Sequence, residues 1–290
     1  MIVKKLTELS AHQVKNVLEL VEECRTIEDT TISPTMTSSI NFNPDVPCLF
    51  LGEEKGYLLS FVSIFMPSPY YAEVVGFTSP AARQRGFFMQ CWLEALKVLG
   101  PKYPEMQFYF LTDGKSPSAL ACFKALQMNY KYTEFVMDHP ITHKDQKFRI
   151  SVQELDGKND ADSNAIFMMH TNMFSYEDRG EVKAFMESTM ADYANNYLVR
   201  NEENTPIGLF HIAVDGDRAF LFGLGVMPQY RRRGYGRQMV QMALNLCDEP
   251  IKALGLQVSS LNEAACNLYR SCGFREVNRL DYYHDPIEQF

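Results

Sequence analysis

Short runs of hydrophobic residues alternate with polar residues along the first half of the chain, and their spacing predicts strands and helices. The predicted strands cover residues 2–6, 48–51, 57–65, 72–77, 107–111 and 130–137. Helices are predicted after Ser10, from Arg83–Gly86 to Leu99, and from Ser116 to about Gln127. The first helix has a capping-box pattern at its start. Its predicted apolar face consists of Val14, Leu18, Val21 and Cys24.

A similar succession returns after residues 139–145, which we interpret as a linker. The predicted strands of the second half cover residues 148–155, 197–200, 207–214, 219–226 and 254–258, with a last strand from residue 275. Helices are predicted over residues 162–174, 176–193, 238–247 and 262–272. Asp215-Gly216 is typical of a hairpin turn between two of these strands.

The two halves also share a motif, which indicates an internal duplication. Arg83-Gln-Arg-Gly86 corresponds to Arg231-Arg-Arg-Gly234, and a proline precedes each motif at the same distance. Phe123 follows Gly86 by 37 residues, and Tyr269 follows Gly234 by 35. We therefore predict two mixed α/β domains, over residues 1–140 and 146–290. Two α/β domains with a chance similarity are the alternative interpretation.

The composition is that of an ordinary folded protein and excludes some partners. The net charge of −8 argues against nucleic-acid binding, which needs a basic surface. The seven cysteines form no C-x-x-C pair, which suits a reducing, cytoplasmic location. The start of the chain does not resemble a signal peptide, and the longest apolar stretch, residues 57–66, is too short to span a membrane. We expect no membrane partner, and whether the chain forms a homodimer stays open.

The segment Val226–Arg237 carries the strongest sign of chemistry. A predicted strand is followed by three consecutive arginines and two glycines, and then by a predicted helix. The first N–H groups of a helix have no partner within the helix, and the helix dipole favours negative charge at that end. Arginines add charge-assisted hydrogen bonds to phosphate. The segment therefore predicts a site for a pyrophosphate-bearing ligand.

Two motifs in the second half resemble those of the GNAT superfamily of acetyltransferases. The first is Arg231-Arg-Arg-Gly234-Tyr-Gly236, and the second runs from Asn262 through Ala265, Leu268 and Tyr269 to Gly273-Phe274. Both are complete and occur in the family's order. The resemblance covers about residues 146–284 and, more weakly, the whole chain as a tandem pair. It implies an α/β fold with mixed sheets, made of two tandem GNAT folds.

The resemblance also implies a cosubstrate, acetyl-CoA, and no metal. The residues it places at acetyl-CoA are Val226, Arg231, Arg232, Arg233, Gly234, Tyr235, Gly236, Arg237 and Asn262. The N–H of Val226 would polarise the thioester carbonyl. Tyr269 would be the catalytic acid, because a phenol is protonated at neutral pH and can donate a proton to the departing thiolate. The structural alternatives are a plain helix cap for Asn262 and a core tyrosine for Tyr269.

The first half departs from this pattern. Phe88 stands where the motif has Gly or Ala, Ser116 replaces Asn, and Phe123 replaces the tyrosine. Since a phenyl ring cannot donate a proton, we interpret this half as an inactive or weakly active copy. It would shape the substrate cleft, or bind CoA without turnover. Glu73 lies where some relatives have a base, but a solvated strand residue is the favoured interpretation.

The expected activity is that of an acyltransferase. It would move an acetyl group from acetyl-CoA to a small-molecule amine by direct attack in a ternary complex, with the C-terminal domain active. The general base is not identified: His211, the carboxylate of Phe290 and an ordered water all stay open. A non-catalytic CoA sensor is the main alternative. An oxidoreductase is disfavoured, because the glycine motif lacks its third glycine and the ribose-binding acid.

Overall fold

The computed structural model describes residues 1–143, 147–156, 159–174 and 194–284. The predicted helix over residues 176–193 and the terminal carboxylate of Phe290 lie outside these ranges. By contacts, the chain divides into two compact units. Unit 1 is Met1–Thr133 with Leu280–Phe290, of which the last segment is described through His284, and unit 2 is Glu134–Arg279. The domains over residues 1–140 and 146–290 stay a prediction.

The strands are numbered in chain order. They are β1 Ile2–Leu6, β2 Leu49–Glu54, β3 Tyr57–Ser68, β4 Tyr71–Thr78, β5 Gln107–Thr112, β6 Asn129–Pro140, β7 Ser151–Leu155, β8 Ala194–Arg200, β9 Pro206–Asp215, β10 Arg218–Val226, β11 Ala253–Ser259 and β12 Arg275–His284.

The described helices are numbered in the same way. They are α1 Ala11–Glu28, α2 Phe87–Leu99, α3 Pro117–Ala125, α4 Asp160–Met173, α5 Tyr235–Asn245 and α6 Glu263–Cys272. A short 3-10 turn precedes α2 at Pro80–Ala82, and another precedes α5 at Pro228–Tyr230.

Both units have the same sheet plan. In unit 1 the order is β1-β2-β3-β4-β5, followed by the end of β12. In unit 2 the order is β7-β8-β9-β10-β11, followed by the end of β6. Within each unit the neighbouring strands are antiparallel, except β4 with β5 and β10 with β11, which are parallel. The predicted fold class, mixed α/β with a duplicated unit, is confirmed.

The sixth strand of each unit comes from an unexpected part of the chain. Unit 1 is completed by the end of β12, where residues 281–284 pair antiparallel with β5. Unit 2 is completed by residues 134–140, which come before its other five strands in the chain and pair antiparallel with β11. The predicted linker over residues 139–145 therefore begins too early. His139 and Pro140 belong to β6, because their backbone pairs with Leu254 and Ala253 of β11.

Each sheet opens between its two parallel strands. The β4–β5 ladder covers Tyr71–Val74, and the rest of β4, through Thr78, leaves β5. In unit 2 the β10–β11 ladder ends at Leu221, and β10 continues to Val226 without β11 beside it. Beyond these points the backbone on the inner side of each opening has no neighbouring strand to pair with.

The core of each unit lies between its sheet and the helices that pack on it. In unit 1 the buried cluster includes Trp92, Phe50, Phe61 and Phe110. The predicted apolar face of α1 is partly wrong: Leu18 is 54% exposed, and the buried face is Val17, Leu20, Val21 and Cys24. In unit 2 the main cluster joins β9, β10 and β11 to α5 and α6, and a smaller cluster lies under α4.

Candidate active site

The loop between β10 and α5 has an open helix N-terminus. Gly234 precedes α5 with φ 84°, and Arg232 also has a positive φ, 62°. Gly234 has no side chain to cap the helix, and the first N–H bonded within the helix is that of Gln238. The N–H groups of residues 235–237 therefore point out of the helix without an intrahelical partner. Backbone donors and a helix dipole at such an end fit a phosphate group.

The other described helices show how unusual this open end is. The helices α1, α3, α4 and α6 are all capped by a side chain, from Ser10, Ser116, Asn159 and Asn262. Among the described helices only α5 and its counterpart α2 begin at a glycine without a side-chain cap. Their two loops have nearly the same backbone, since Gln84 and Gly86 have φ 59° and 78°. The duplication thus extends to backbone conformation.

The arginines of the unit 2 loop make different contacts. The Arg231 guanidinium donates to the carbonyl oxygens of Val226 at 2.9 Å and Met173 at 2.7 Å, so it braces the loop. Arg237 donates to the carbonyl and hydroxyl oxygens of Ser271 in α6. Arg233 lies over the ring of Tyr230, 5.5 Å from its centre. None of Arg231, Arg232, Arg233 and Arg237 pairs with a carboxylate of the described residues, so the loop keeps its positive charge.

Arg149 adds to this loop and was not predicted. Its guanidinium donates to the carbonyl oxygen of Arg233 at 3.0 Å and lies 5.4 Å from the centre of the Tyr235 ring. Glu202 holds it in an exposed ion pair, and the Tyr235 hydroxyl donates to the same carboxylate. Arg149 lies more than 80 residues before the loop in the chain. No local pattern marked it.

Val226 presents its N–H to the opening. The N–H of Met227 donates to Ile207 of β9, so Met227 and Ile207 form a hydrogen-bonded pair. In an antiparallel ladder such pairs alternate with non-bonded pairs, whose N–H and C=O groups point away from the neighbouring strand. Val226, paired with Gly208, is such a residue. Its N–H therefore points away from β9, to the side from which β11 has diverged.

Asn262 precedes α6 as its cap, and Tyr269 lies on the helix, as the spacing predicts. The Asn262 side chain caps the helix by accepting from the N–H of Ala265 at 3.1 Å, which is the structural alternative that the sequence left open. The Tyr269 side chain is buried, and burial raises the pKa of its hydroxyl to about 12. No described residue forms a hydrogen bond with that hydroxyl. A buried phenol that keeps its donor free is suited to meet a ligand atom.

His211 is not placed to act as a base. It is fully buried, its Nδ1 donates to the Asn196 side-chain oxygen at 2.6 Å, and its Nε2 accepts from His170 at 2.9 Å. Burial, with a smaller effect of His170, lowers the pKa of His211 to about 3. A base with such a pKa and no access to solvent cannot take a proton from an incoming ammonium at neutral pH.

A carboxylate lies instead where the two parallel strands of unit 2 separate. Gln257 comes one residue after the last residue of β11 that pairs with β10, and its side-chain amide donates to Glu134 of β6. Leu256 and Val258 face the core under α5 and α6. Strand alternation then puts Gln257 on the opposite face. Glu134 pairs with Ser259 in the ladder and therefore lies on the same face as Gln257.

Three further findings concern other classes of site. Among the described residues, no three His, Cys, Asp or Glu side chains are grouped to hold a metal ion. All seven cysteines are free thiols. In the part of the chain that the structure describes, no helix is both long and apolar enough to cross a membrane.

The sequence of this chain matches known proteins over the region of the open loop. The model of the Acetyltransferase (GNAT) family matches residues 165–274. The [ribosomal protein bS18]-alanine N-acetyltransferase of Escherichia coli K12 is 30% identical over 117 residues, which is 38% of this chain and 78% of that protein. The chain belongs to the GNAT acetyltransferase family. The resemblance inferred from the motifs is thus confirmed, and with it membership of an acetyl-CoA-dependent family.

Other relatives support the same family and the duplicated fold. The zebrafish (Danio rerio) N-alpha-acetyltransferase 50 is 33% identical over 73 residues, 24% of this GNAT chain and 44% of that protein. A GCN5-related N-acetyltransferase from Sphaerobacter thermophilus superposes with a TM-score of 0.72 at 13% identity, over 98% of this chain and 94% of that one. A tandem GNAT protein from the clavulanic acid biosynthesis pathway gives 0.69 at 12% identity, over 98% and 97%. At these identities the structures show the fold alone.

Proposed function

We propose that this GNAT protein is an N-acetyltransferase that moves an acetyl group from acetyl-CoA to an amine in unit 2. The observation that carries the proposal is the open N-terminus of α5, whose loop arginines pair with no carboxylate of the described residues, in the unit that also holds Tyr269. The backbone donors fit the diphosphate of CoA. The opening between β10 and β11 leaves part of the β10 backbone, including the N–H of Val226, without β11 beside it and so accessible to the pantetheine arm.

The reaction is a direct attack in a ternary complex. The amine nitrogen attacks the thioester carbonyl, a C–N bond forms, and the C–S bond breaks. The N–H of Val226 stabilises the charge that develops on the carbonyl oxygen. The Tyr269 hydroxyl, protonated at neutral pH because its pKa is about 12, donates to the departing sulfur. The nitrogen loses its second proton after the attack, and this proton restores the phenol.

Glu134 is the group that we propose to accept the first proton of the acceptor. An ammonium must lose a proton before its nitrogen can attack. Glu134 is partly buried, is oriented by Gln257, and lies on the face of the sheet opposite α5 and α6. In this arrangement the acceptor approaches the thioester from the face of the sheet that carries Glu134. Tyr269 reaches the departing thiol from the opposite face, where α5 and α6 lie. The ammonium would also be attracted by the carboxylate.

The Tyr269→Phe variant tests the acid. We expect kcat to fall by about a hundredfold, a common effect of removing a positioned proton donor, while the affinity for acetyl-CoA is unchanged. The assay follows release of the CoA thiol with a panel of amines, which should include small amines and a peptide with N-terminal alanine. Tyr57→Phe, at an exposed position of unit 1, is the control. Undiminished turnover in Tyr269→Phe would remove Tyr269 from the mechanism.

The Glu134→Gln variant tests the base. Wild type should lose kcat/KM as the pH falls through the pKa of the base, whereas the variant should be slow throughout and lack that pH dependence. Glu276→Gln removes an exposed carboxylate of the same unit and serves as the control. An unchanged acidic limb of the pH–rate profile in Glu134→Gln would assign the base to another group. Acetyl transfer would still occur in that case, so a wrong assignment of the base can be distinguished from a wrong assignment of the activity.

A further inference from the structure

Unit 1 contains a cavity of about 430 Å³ at its own opening between parallel strands. The cavity lies under the loop before α2 and beside α3. Its walls are mainly apolar and include Val74, Phe77, Phe88, Phe110 and Phe123. This volume and lining are those of a small-molecule site, since such pockets measure about 300–1,000 Å³ and are mostly apolar. The cavity is therefore large enough to hold a ligand.

The loop beside this cavity has lost the positive charge of its counterpart. Arg83 pairs with Glu28 at 2.8 Å, and Arg85 pairs with Glu54 at 2.9 Å. The motif alignment puts Met89 where unit 2 has Arg237. Two paired arginines thus replace four arginines that have no carboxylate partner among the described residues. The α2 N-terminus can still form hydrogen bonds, but it lacks the charge that a diphosphate needs.

The Glu28 carboxylate occupies the polar end of the cavity. It accepts from the N–H and hydroxyl of Ser118, from the hydroxyl of Ser116 and from Arg83. Burial raises the pKa of Glu28, but these hydrogen bonds and the Arg83 charge outweigh it and hold the pKa below its usual range. The carboxylate is ionised and its partners belong to the protein. A charged ligand would find neither an unpaired carboxylate nor an unpaired guanidinium in this part of the cavity.

Phe88 fills space that its counterpart leaves free. A methyl group on Gly76 of β4 would come within 2.6 Å of the Phe88 ring, and the centre of that ring is 6.2 Å from that of Phe110 in β5. The ring thus lies between the two parallel strands. The equivalent residue of unit 2, Gly236, has no side chain. In unit 1 an aromatic ring therefore occupies the position where unit 2 has backbone that can approach a phosphate.

We propose that the cavity of unit 1 binds a small, uncharged, apolar molecule and does not bind acetyl-CoA. An apolar lining stabilises such a ligand by removing its surface from water. The α2 N-terminus can bind a carbonyl or hydroxyl oxygen of the ligand, but no group in the lining compensates a diphosphate. The two units would then hold different ligands: acetyl-CoA in unit 2 and an apolar effector in unit 1.

The test uses the fluorescence of N-phenyl-1-naphthylamine, an uncharged apolar probe, with the full chain. We expect binding to wild type and equal binding to Gly234→Glu, which changes only the unit 2 loop. Ala121→Trp should lower the affinity for the probe by about tenfold or more, because a bulky ring at the exposed mouth of the cavity excludes part of the ligand. Lys124→Trp puts the same side chain on α3 outside the cavity lining and should leave the affinity for the probe unchanged.

Competition with CoA completes the test. We expect CoA not to displace the probe, and Gly234→Glu not to bind CoA. Displacement of the probe by CoA would make unit 1 a CoA site and overturn the proposal. Absence of probe binding, or equal affinities in Ala121→Trp and Lys124→Trp, would overturn it as well. Acetyl transfer by unit 2 is measured separately and does not depend on this result.

Discussion

At the scale of single residues, His170 and His211 lie directly behind the bend of β10. A side-chain carbon on Gly223 would come within 2.5 Å of His211 and 3.3 Å of His170. Gly223 has a positive φ of 57°, at a bulge where the register with β9 shifts before Gly225 and Val226. The two neutral rings therefore support the backbone that leads to the proposed oxyanion donor. Their role is to hold the strand in place, since neither ring is exposed.

These histidines should make the stability of unit 2 depend on pH. Burial lowers the pKa of His170 to about 4 and that of His211 to about 3, against about 6.5 in the unfolded chain. Between these values only the unfolded state binds the protons, so stability falls as the pH drops from 6.5 towards 4. The loss is at most about 1.4 kcal/mol per pH unit for each histidine.

Thermal unfolding at pH 7 and pH 5 measures this effect. We expect His211→Gln to be less stable than wild type at pH 7 and to lose less stability on acidification. His12→Gln, at an exposed position in α1, should keep the wild-type pH dependence. A wild-type midpoint that is the same at pH 7 and pH 5 would contradict the buried, neutral state of the pair.

The residues of the site that could be predicted are those whose chemistry lies in a contiguous motif. The loop from Arg231 to Arg237 and the helix with Asn262 and Tyr269 each carry their spacing in a single segment. Arg149 and Glu134 could not be predicted in the same way. Arg149 reaches the loop from far along the chain, and Glu134 meets Gln257 only through the β6–β11 ladder. Such contacts depend on strand register, which is set by the whole sheet.

At the scale of elements, local signals were sufficient where the determinant is local. Ser10 and Gln13 form the predicted capping box, and Ser116 caps α3 as its sequence indicates. The face of α1 was mispredicted because Val17 and Leu18 are adjacent, as are Leu20 and Val21, so two helical faces fit the same apolar residues. The contacts with the sheet select the face with Val17 and Leu20. Packing against the sheet, which the sequence pattern does not contain, therefore determines which face of α1 is buried.

The end of β6 shows the same limit. Polar and proline residues after Met137 are typical of a linker, yet the strand continues to Pro140. Its pairing with β11 satisfies the backbone, and His139 is buried against Phe274, with 5.3 Å between ring centres. A proline is tolerated there because the N–H of Ile141 donates to Lys252, which makes Pro140 and Ala253 a non-bonded pair, so the ladder with β11 needs no N–H from Pro140.

At the scale of the whole molecule, the two units have the same plan but are not consecutive segments of the chain. The strand that completes unit 1 comes from the end of the described chain. Tyr282 in that strand is 1% exposed, stacks on Tyr132 and donates to Glu73. The sequence motifs revealed the duplication but not this assignment of strands, because a terminal strand carries no motif of its own.

The Tyr282→Ala variant tests the role of the last strand. We expect the free energy of unfolding to fall by about 3 kcal/mol or more, as for other large buried aromatic residues. Faster amide hydrogen exchange in β5 should accompany the loss, with unchanged acetyl-CoA affinity. Val277→Ala changes an exposed residue of the same strand, 56% exposed, and should shift stability by less than about 0.5 kcal/mol. Unchanged exchange in β5 would show that the strand is not needed there.

The central claim is that acetyl-CoA binds at the open N-terminus of α5 and that chemistry takes place in unit 2. Gly234→Glu and Gly86→Glu test it as a matched pair, because both glycines precede a helix with a φ near 80° and both substitutions carry the same strain. Calorimetric titration with acetyl-CoA, on variants shown to be folded by circular dichroism, is the measurement. The account predicts that Gly234→Glu abolishes binding and acetyl transfer, whereas Gly86→Glu leaves both unchanged. Binding retained in Gly234→Glu, or lost in Gly86→Glu, would contradict it.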